Sequence, residues 1–564
     1  MKKKYSASIV LGVVALLFAC ARGFNGTDGN SQVSPGSSSQ TGKQGLSGVL
    51  MWKGDTTGTG LYANETVLTT QNVNPQQFGK IQQKALDGMI IAQPLFVSQL
   101  NMGDKGVHDV VIVVTEHNSV YAFDAKDPEA PLLWERHYSV DGATPAADNF
   151  GGRTTIGGEI GITGTPAIDP ATGAMYFVTM LQKDGKVDQW LRAIDIKTGN
   201  DFGPGSVKIQ GSVQGDGRGS DGGTIHFDPT NHNQRAGLVI TNGAVIICWG
   251  SFSDWGVYHG WVMAYGLADL QQKAVLNLSP QHQDQDYAFG PADFGGGASV
   301  WQAGAAPSVD ASGNIYMVAA DGSFNADKGG LNFGDTVVKV RFSGTGFEVT
   351  DWFGPSNHPC VDAADMEIGS GGLVLLPSGG LGVTINKEGR VYLLNLSNLG
   401  KVAPGDTQIP QQFMAGNQEC YEGLGPDHAE GTDWQRLYGN PSYWNGNLYL
   451  APSNTSLIQY SVQNNRINTT PAARTTVATG LRGGNTVVSA NGTNNAIVWM
   501  YQKAASGQAI LHAFDATNVS KELWNSNMTG GDEMGIGIGF GTPVVANGRV
   551  FTTFNKSLVI YGPR

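Results

Sequence analysis

The sequence predicts an all-β protein: an eight-bladed β-propeller of four-stranded antiparallel blades, closed by an N-terminal strand, with seven blades as the alternative. Three observations predict it. First, a strand ending in a small–x–Asp turn, with a tryptophan beyond it, recurs along the chain. One copy is Ser119-Val120-Tyr121-Ala122-Phe123-Asp124-Ala125, with Trp134 following. Another is Ile510-Leu511-His512-Ala513-Phe514-Asp515-Ala516, with Trp524 following, and a weaker one is Leu191-Arg192-Ala193-Ile194-Asp195 before Thr198-Gly199. Second, 80 of the 564 residues are glycine and only 15% are charged, a turn-rich all-β composition. Third, the repeat period is about 60 residues, and long-period repeats of short strands are the signature of propellers.

The N-terminus reads as an export segment. Lys2-Lys3-Lys4 precede an apolar run over residues 9–19, too short to span a bilayer. The run ends in Leu17-Phe18-Ala19-Cys20, which looks like a bacterial lipobox, so residues 1–20 are expected to be a lipoprotein-type signal and Cys20 the lipidated residue. No aspartate follows Cys20, which favours the outer membrane of a Gram-negative envelope. Residues 21–47 are rich in Ser, Gly, Gln and Asn and cannot bury enough surface to fold. As a flexible tether they would reach about 30 Å. Residues 48–564 are expected to form one propeller domain.

Within that domain, inner strands are expected after Ala92-Gln93-Pro94, Gly164-Thr165-Pro166, Ala305-Ala306-Pro307, Gly439-Asn440-Pro441 and Gly541-Thr542-Pro543. Three further units open at Arg235-Ala236-Gly237-Leu238, Gly371-Gly372-Leu373 and Gly484-Asn485-Thr486. Middle strands fall at residues 110–114, 174–179, 244–248, 314–318, 390–394, 447–450, 496–500 and 549–553. The last unit has only three strands, ending with 557–561. The first strand-like stretch of the body, residues 80–86, is left to complete it, which would remove the exposed sheet edges.

The net charge is −12, with no basic run beyond the N-terminus, so nucleic acid is not an expected partner. Three cysteines remain after Cys20. Cys360 and Cys420 both lie in Gly/Pro-rich loops and are the preferred disulfide. Cys248, in the apolar strand Val245-Ile246-Ile247-Cys248-Trp249, reads as a buried small hydrophobe. No Cys-x-x-Cys-His occurs, which excludes a covalently attached c-type haem.

The repeat, the unit count and four local segments carry a resemblance. The segments are Thr115-Glu116-His117-Asn118-Ser119-Val120-Tyr121-Ala122-Phe123-Asp124, Ile162-Thr163-Gly164-Thr165-Pro166, Tyr258-His259-Gly260-Trp261-Val262 and Ile368-Gly369-Ser370-Gly371-Gly372. Together they resemble the pyrroloquinoline-quinone (PQQ) dehydrogenase-type propeller superfamily, and more closely exported PQQ-like repeat proteins. That superfamily includes quinoprotein enzymes and scaffolds without cofactor. Its alcohol dehydrogenases carry an adjacent Cys-Cys pair over the quinone and hold calcium or a lanthanide with Glu, Asn and Asp. This chain has no adjacent cysteines.

Candidate site residues come from loops that would crown the channel. In residues 248–259, Asp254 and His259 supply the types needed for a general base and its orienting carboxylate. Trp249, Trp255 and Tyr258 offer a stacking wall for a ring or sugar. Asp362, Asp365 and Glu367 could hold Ca²⁺, although a solvated acidic loop is the simpler expectation. Residues 427–434 (Asp-His-Ala-Glu-Gly-Thr-Asp-Trp) read as surface decoration. Arg153 and Glu159, in a Gly-rich stretch before an inner strand, could line the mouth, with the arginine clamping a carboxylate of the quinone. Residues 214–223 lack the Gly-Lys-Ser/Thr ending of a phosphate loop. Two functions are carried forward. One is a lipid-anchored envelope platform contacting proteins, glycans or a small molecule. The other is a quinoprotein-type oxidoreductase acting on alcohols or sugars with PQQ and Ca²⁺.

Overall fold

The computed structural model describes residues 45–127, 129–149, 156–283, 295–420 and 434–564. Eight antiparallel sheets form the blades of a propeller. Blade 1 is Leu95–Asn101, Val107–Val114, Ser119–Asp124 and Trp134–His137. The inner strands of blades 2 to 8 are Ala167–Ile168, Val239–Thr241, Ser308–Val309, Val374–Leu375, Ser442–Trp444, Thr486–Asn491 and Val544–Ala546. All eight follow the openings read from the sequence.

The central strands are apolar without alternation because both faces are buried between neighbouring blades. In blade 1, Val111 and Val113 join a core with Val550 and Phe551 of blade 8. Their neighbours Val110, Ile112 and Val114 pack with Ile168, Met175 and Phe177 of blade 2. The repeat has a physical basis in the same packing. Asp124 accepts the amides of Lys126 and Asp127 at 2.8 and 3.0 Å, ending the third strand in an Asx turn. Trp134 pairs with Ala122 in register and donates its indole N–H to the Ile196 carbonyl of blade 2 at 2.8 Å. Gly199 turns at φ +71° beneath that indole, where a Cβ would lie 2.7 Å from the ring.

The ring closes as the sequence predicts. Strand Phe78–Ala85 pairs antiparallel with Ser557–Pro563, Phe78 facing Pro563 and Ala85 facing Ser557, and completes blade 8. Phe78 packs edge-on against Trp524 of blade 7 at 4.9 Å, and Trp524 meets Tyr561 at 5.2 Å.

The folded body differs from expectation at its start. It begins before residue 48, and its first strands are Ser47–Val49 and Leu61–Tyr62, ahead of residues 80–86. These belong to a strap, residues 46–65, that runs inside the ring. Gly48 pairs with Val97 of blade 1, and Ile168 of blade 2 donates to the Leu50 carbonyl at 2.8 Å. Trp52 packs on Ala305 and Ala306 ahead of blade 4. Val309, Leu375, Tyr443 and Val488, of blades 4 to 7, donate to the carbonyls of Thr56, Thr57, Thr59 and Gly60. Glu65 then accepts the Gly548 amide of blade 8 at 3.0 Å. The strap was illegible because its strands are two and three residues long and its Gly/Thr-rich middle has no period. Its Lys53 is buried near the axis and donates to the Asn440 and Pro441 carbonyls at 3.1 and 2.8 Å.

Cys360 and Cys420 form the expected disulfide, with Cα atoms 6.0 Å apart, and Cys248 is free and buried.

Two outcomes follow from this packing. Trp524→Ala should destabilise the chain by about 3–5 kcal/mol, since it opens a cavity against the closing strand; the thermal midpoint reads it, and an unchanged midpoint contradicts it. His232 is buried, with Nδ1 on the Asp228 carbonyl at 2.6 Å and Nε2 accepting the His259 amide at 3.1 Å. Burial pushes it from 6.5 to about 3. The unfolded chain therefore binds the extra proton between those values, so the stabilisation is full above pH 6.5 and is lost as pH falls. By pH 5 the loss should be about 2 kcal/mol. His232→Gln should flatten the acid limb of a melting-temperature profile, and an unaltered slope would refute the assignment.

Candidate metal centre and channel mouth

In each blade, the loop leading into the inner strand and the turn between the second and third strands emerge at the same mouth. The strap enters from the other side: Leu46 donates to Pro170, in the turn between the first two strands of blade 2. The mouth collects charged and aromatic residues from several blades. Between Asn314–Val318 and Val337–Phe342 of blade 4 come Asp321 and Asp335. Asp362, Asp365 and Glu367 come from the connection into blade 5, which includes the short helix His358–Ala363. Lys387 comes from the turn between Leu381–Ile385 and Arg390–Asn395.

These residues form a partly buried carboxylate cage. Asp321, Asp335 and Asp362 each offer an oxygen, all within 4.8 Å of one another; Asp321, Asp365 and Glu367 do the same. Asp321 is common to both groups. Lys387 pairs with Asp365 and, at 2.5 Å, with Glu367. Second-sphere donors fix the carboxylates: the Ile368 amide to Asp335 at 3.3 Å, the Gly322 amide to Asp362 at 3.1 Å and the Ser370 hydroxyl to Glu367 at 2.8 Å. Oδ1 of Asp321 and Oδ2 of Asp335 are buried without a hydrogen-bond partner.

Crowding shapes the proton affinities. Burial pushes Asp362 and Glu367 up to about 8. Burial raises Asp321 and Asp335 well above the carboxylate range, reinforced by neighbouring carboxylates. Asp365 differs: burial would raise it, but the Lys387 ammonium holds it below its ordinary value. The same neighbours raise Lys387 against the effect of its burial. One carboxylate of the cage is therefore kept ionised, with a lysine beside it.

An aromatic layer lies next to the cage. The Lys387 ammonium sits 6.0 Å above the Trp301 ring. Trp301, ahead of blade 4, meets Phe540, ahead of blade 8, at 5.8 Å, and Tyr438 joins Phe540 at 6.1 Å. On the side of blades 1 and 3 lie Glu116 and Arg235. Glu116 accepts the Gly161 amide at 2.8 Å and the Thr163 hydroxyl at 3.0 Å, its Oε1 is unpartnered, and burial pushes it up to about 7. Arg235 packs flat on Gly304, where a Cβ would lie 2.0 Å from its guanidinium, and burial lowers it to about 10.

The sequence-predicted residues are redistributed. Asp362, Asp365 and Glu367 do converge, but as members of two groups joined by Asp321, with Glu367 buried and Asp362 and Asp365 half-buried. Asp254 and His259 are not brought together as an acid–base pair. Asp254 accepts from Ser251 and Tyr258, at 2.8 and 2.9 Å. His259 spends its two ring nitrogens on Ser279 and the Arg218 carbonyl. Burial also lowers its proton affinity. Trp249 is a core residue donating to Gln189 rather than a stacking wall. Tyr258 is buried on Asp254, and Trp255 is partly exposed. Glu159 pairs with His117 at 2.9 Å. Arg153, Cys20 and residues 427–433 lie outside the described residues. Sequence reasoning missed Asp321, Asp335, Lys387, Trp301, Arg235 and Glu116. A usable signal existed: Glu116, Asp321 and Lys387 each stand two or three residues past the second strand of their blade.

Comparisons with known proteins agree with this architecture. No family model matches the sequence, and no curated protein matches it. Among solved structures, a quinohemoprotein alcohol dehydrogenase, ADHIIG, from Pseudomonas putida HK5 aligns at TM-score 0.57 and 15% identity, over 91% of this chain and 80% of that one. The quinohemoprotein alcohol dehydrogenase of Comamonas testosteroni aligns at 0.58 and 14%, over 91% and 80%. A europium-containing methanol dehydrogenase aligns at 0.57 and 13%, over 92% and 98%. The chain shares the β-propeller fold of these dehydrogenases.

Proposed function

We propose that the mouth is the centre of a cation-dependent, quinoprotein-type oxidoreductase acting on the hydroxyl of an alcohol or sugar. The observation that carries this reading is the pairing of Lys387 with Asp365 and Glu367 at the edge of a carboxylate-rich cage, beside Trp301. Buried carboxylates need a counter-charge. All-oxygen donors suit a hard cation such as Ca²⁺ or a lanthanide. Asp321, Asp365 and Glu367 would hold it nearest the aromatic layer.

A planar, carboxylate-bearing quinone fits the rest of the mouth. Trp301 offers a face to stack on, Lys387 a charge on one side, and Arg235 a guanidinium fork on the other. When bound, the quinone supplies the two-electron acceptor and the cation supplies Lewis acidity. The chain's own part is proton handling. Asp365, kept ionised by Lys387, is placed to take the hydroxyl proton of the substrate. The missing Cys-Cys pair leaves the upper wall of the quinone site to other residues.

The envelope location belongs to the same proposal. Lipid attachment at Cys20 would tether the chain to the outer membrane.

Titration of the purified chain with PQQ and Ca²⁺ or La³⁺ tests the reading, following quinone absorbance and melting temperature together. A saturable spectral change with a melting temperature that climbs with ligand concentration is expected. Dye reduction with alcohols and sugars should then fall by about 10²–10⁴-fold in Asp365→Asn. No spectral change and no stabilisation would discard the oxidoreductase and leave the envelope platform.

A further inference from the structure

The face opposite the mouth carries a small cavity at the seam where the ring closes. Its volume is about 230 Å³, and it lies between blade 8 and blade 1. The turn after the inner strand of blade 8 brings Asn547 and Arg549, and the end of Ser557–Pro563 brings Pro563. Blade 1 brings Phe96, Asp109 and Lys126. Among the described residues, Arg549 and Lys126 are the cationic side chains of this lining and Asp109 its carboxylate.

The carboxylate is already spent. Its Oδ1 accepts the Gln99 backbone amide at 2.7 Å and the Gln99 side chain at 2.9 Å. Its Oδ2 accepts Asn547 of blade 8 at 2.9 Å and faces the Lys126 ammonium at 3.5 Å. With both oxygens occupied and 1% exposure, Asp109 has little accepting capacity left for a ligand. Arg549 is the opposite case. It is half-buried, and among the described residues it makes no hydrogen bond and no ion pair. Burial lowers its proton affinity, with no carboxylate working against that effect. Its guanidinium lies against Gly562, where a Cβ would come within 2.3 Å of it, so the third strand of blade 8 fixes its place. The cavity therefore has filled acceptors and an unused fork of N–H donors. A guanidinium that loses hydration without gaining a partner is costly, and an anion in the cavity removes that cost.

We infer that this cavity is a binding site for a phosphate group, free in solution or carried on a small ester or a lipid headgroup. Lys126 and Arg549 set against Asp109 leave one positive charge, which an anion neutralises. A flat carboxylate fills one edge of the Arg549 fork. A tetrahedral phosphate presents oxygens in several directions and can meet the Arg549 fork and the Lys126 ammonium together. The cavity is smaller than the roughly 300 Å³ at which pockets for whole drug-sized ligands begin, and so suits a single anionic group. Bound there, the phosphate joins blade 8 to blade 1 beside the Asn547–Asp109 hydrogen bond, and its binding energy adds to the stability of the closed ring. The site shares no residue with the mouth and does not depend on the activity proposed there.

The purified chain is titrated with sodium phosphate at constant ionic strength, and the heat of binding is followed alongside the melting temperature. Saturable binding and a melting temperature that climbs with phosphate are expected. Arg549→Gln should weaken binding by about 10-fold or more, and Lys126→Gln by less. Sodium acetate at the same ionic strength should bind more weakly than phosphate. Vesicles of phosphatidylglycerol separate the sources. Co-sedimentation that is lost in Arg549→Gln assigns a lipid headgroup, and phosphate binding without co-sedimentation assigns a soluble phosphate. Neither phosphate binding nor co-sedimentation, or affinities unchanged in Arg549→Gln, would overturn the site. Acetate binding as tightly as phosphate would overturn its assignment to phosphate. Phosphate binding lost in Arg235→Gln and kept in Arg549→Gln would move the anion to the mouth, against the inference. Should Arg549→Gln not fold, Lys126→Gln decides, because an unchanged phosphate affinity in that variant removes the convergence of the two cations on which the site rests.

Discussion

Closure of the ring is the constraint on which everything else rests. Eight sheets can share one axis only if the last finds its fourth strand, and that strand is supplied from the other end of the chain as Phe78–Ala85. The pairing removes two open edges at once. It is backed by apolar packing, with Phe78, Trp524 and Tyr561 meeting where blade 7, blade 8 and the closing strand converge. The strap over residues 46–65 adds a second, inner closure. Its carbonyls accept amides from inner strands around the ring, so the polar backbone facing the channel is satisfied by the chain itself.

This closure gives the mouth its chemistry. With one end of the channel filled by the strap, the loops of the other end stand on a rigid base. Asp321 and Asp335 come from blade 4, Asp362, Asp365 and Glu367 from the connection into blade 5, and Lys387 from blade 5 itself. No single loop could press that many carboxylates together, because repulsion would push it into solvent. Rigid neighbouring blades hold them from several sides. The result is a graded set of groups: Asp365 held ionised by Lys387, and its neighbours driven towards protonation unless a cation is present.

Much of the fold was legible in the sequence. The Ala-x-Asp…Trp repeat reports a real cross-blade contact, seen in Trp134 on Gly199 and Ile196. The Pro-marked strand openings, the closing strand and the Cys360–Cys420 pairing are likewise local signals with local causes. The strap left no such trace, since two- and three-residue strands carry no period. The site was only half legible. Three acidic residues within 362–367 attract attention by density, but their partners Asp321, Asp335 and Lys387 are single residues on separate turns. Asp254 and His259 misled for the opposite reason: they are close in sequence, yet the bend between them sends each to a different set of partners. Adjacency along a loop is weaker information than equivalent position in successive blades.

The central claim is that the cage holds a hard cation beside a quinone platform. The most direct test is an anomalous difference map from crystals grown with Tb³⁺ and PQQ. The account predicts a strong peak among Asp321, Asp365 and Glu367, with planar density on Trp301. A map with no peak in the cage, the carboxylates still closed on Lys387 alone, would contradict it.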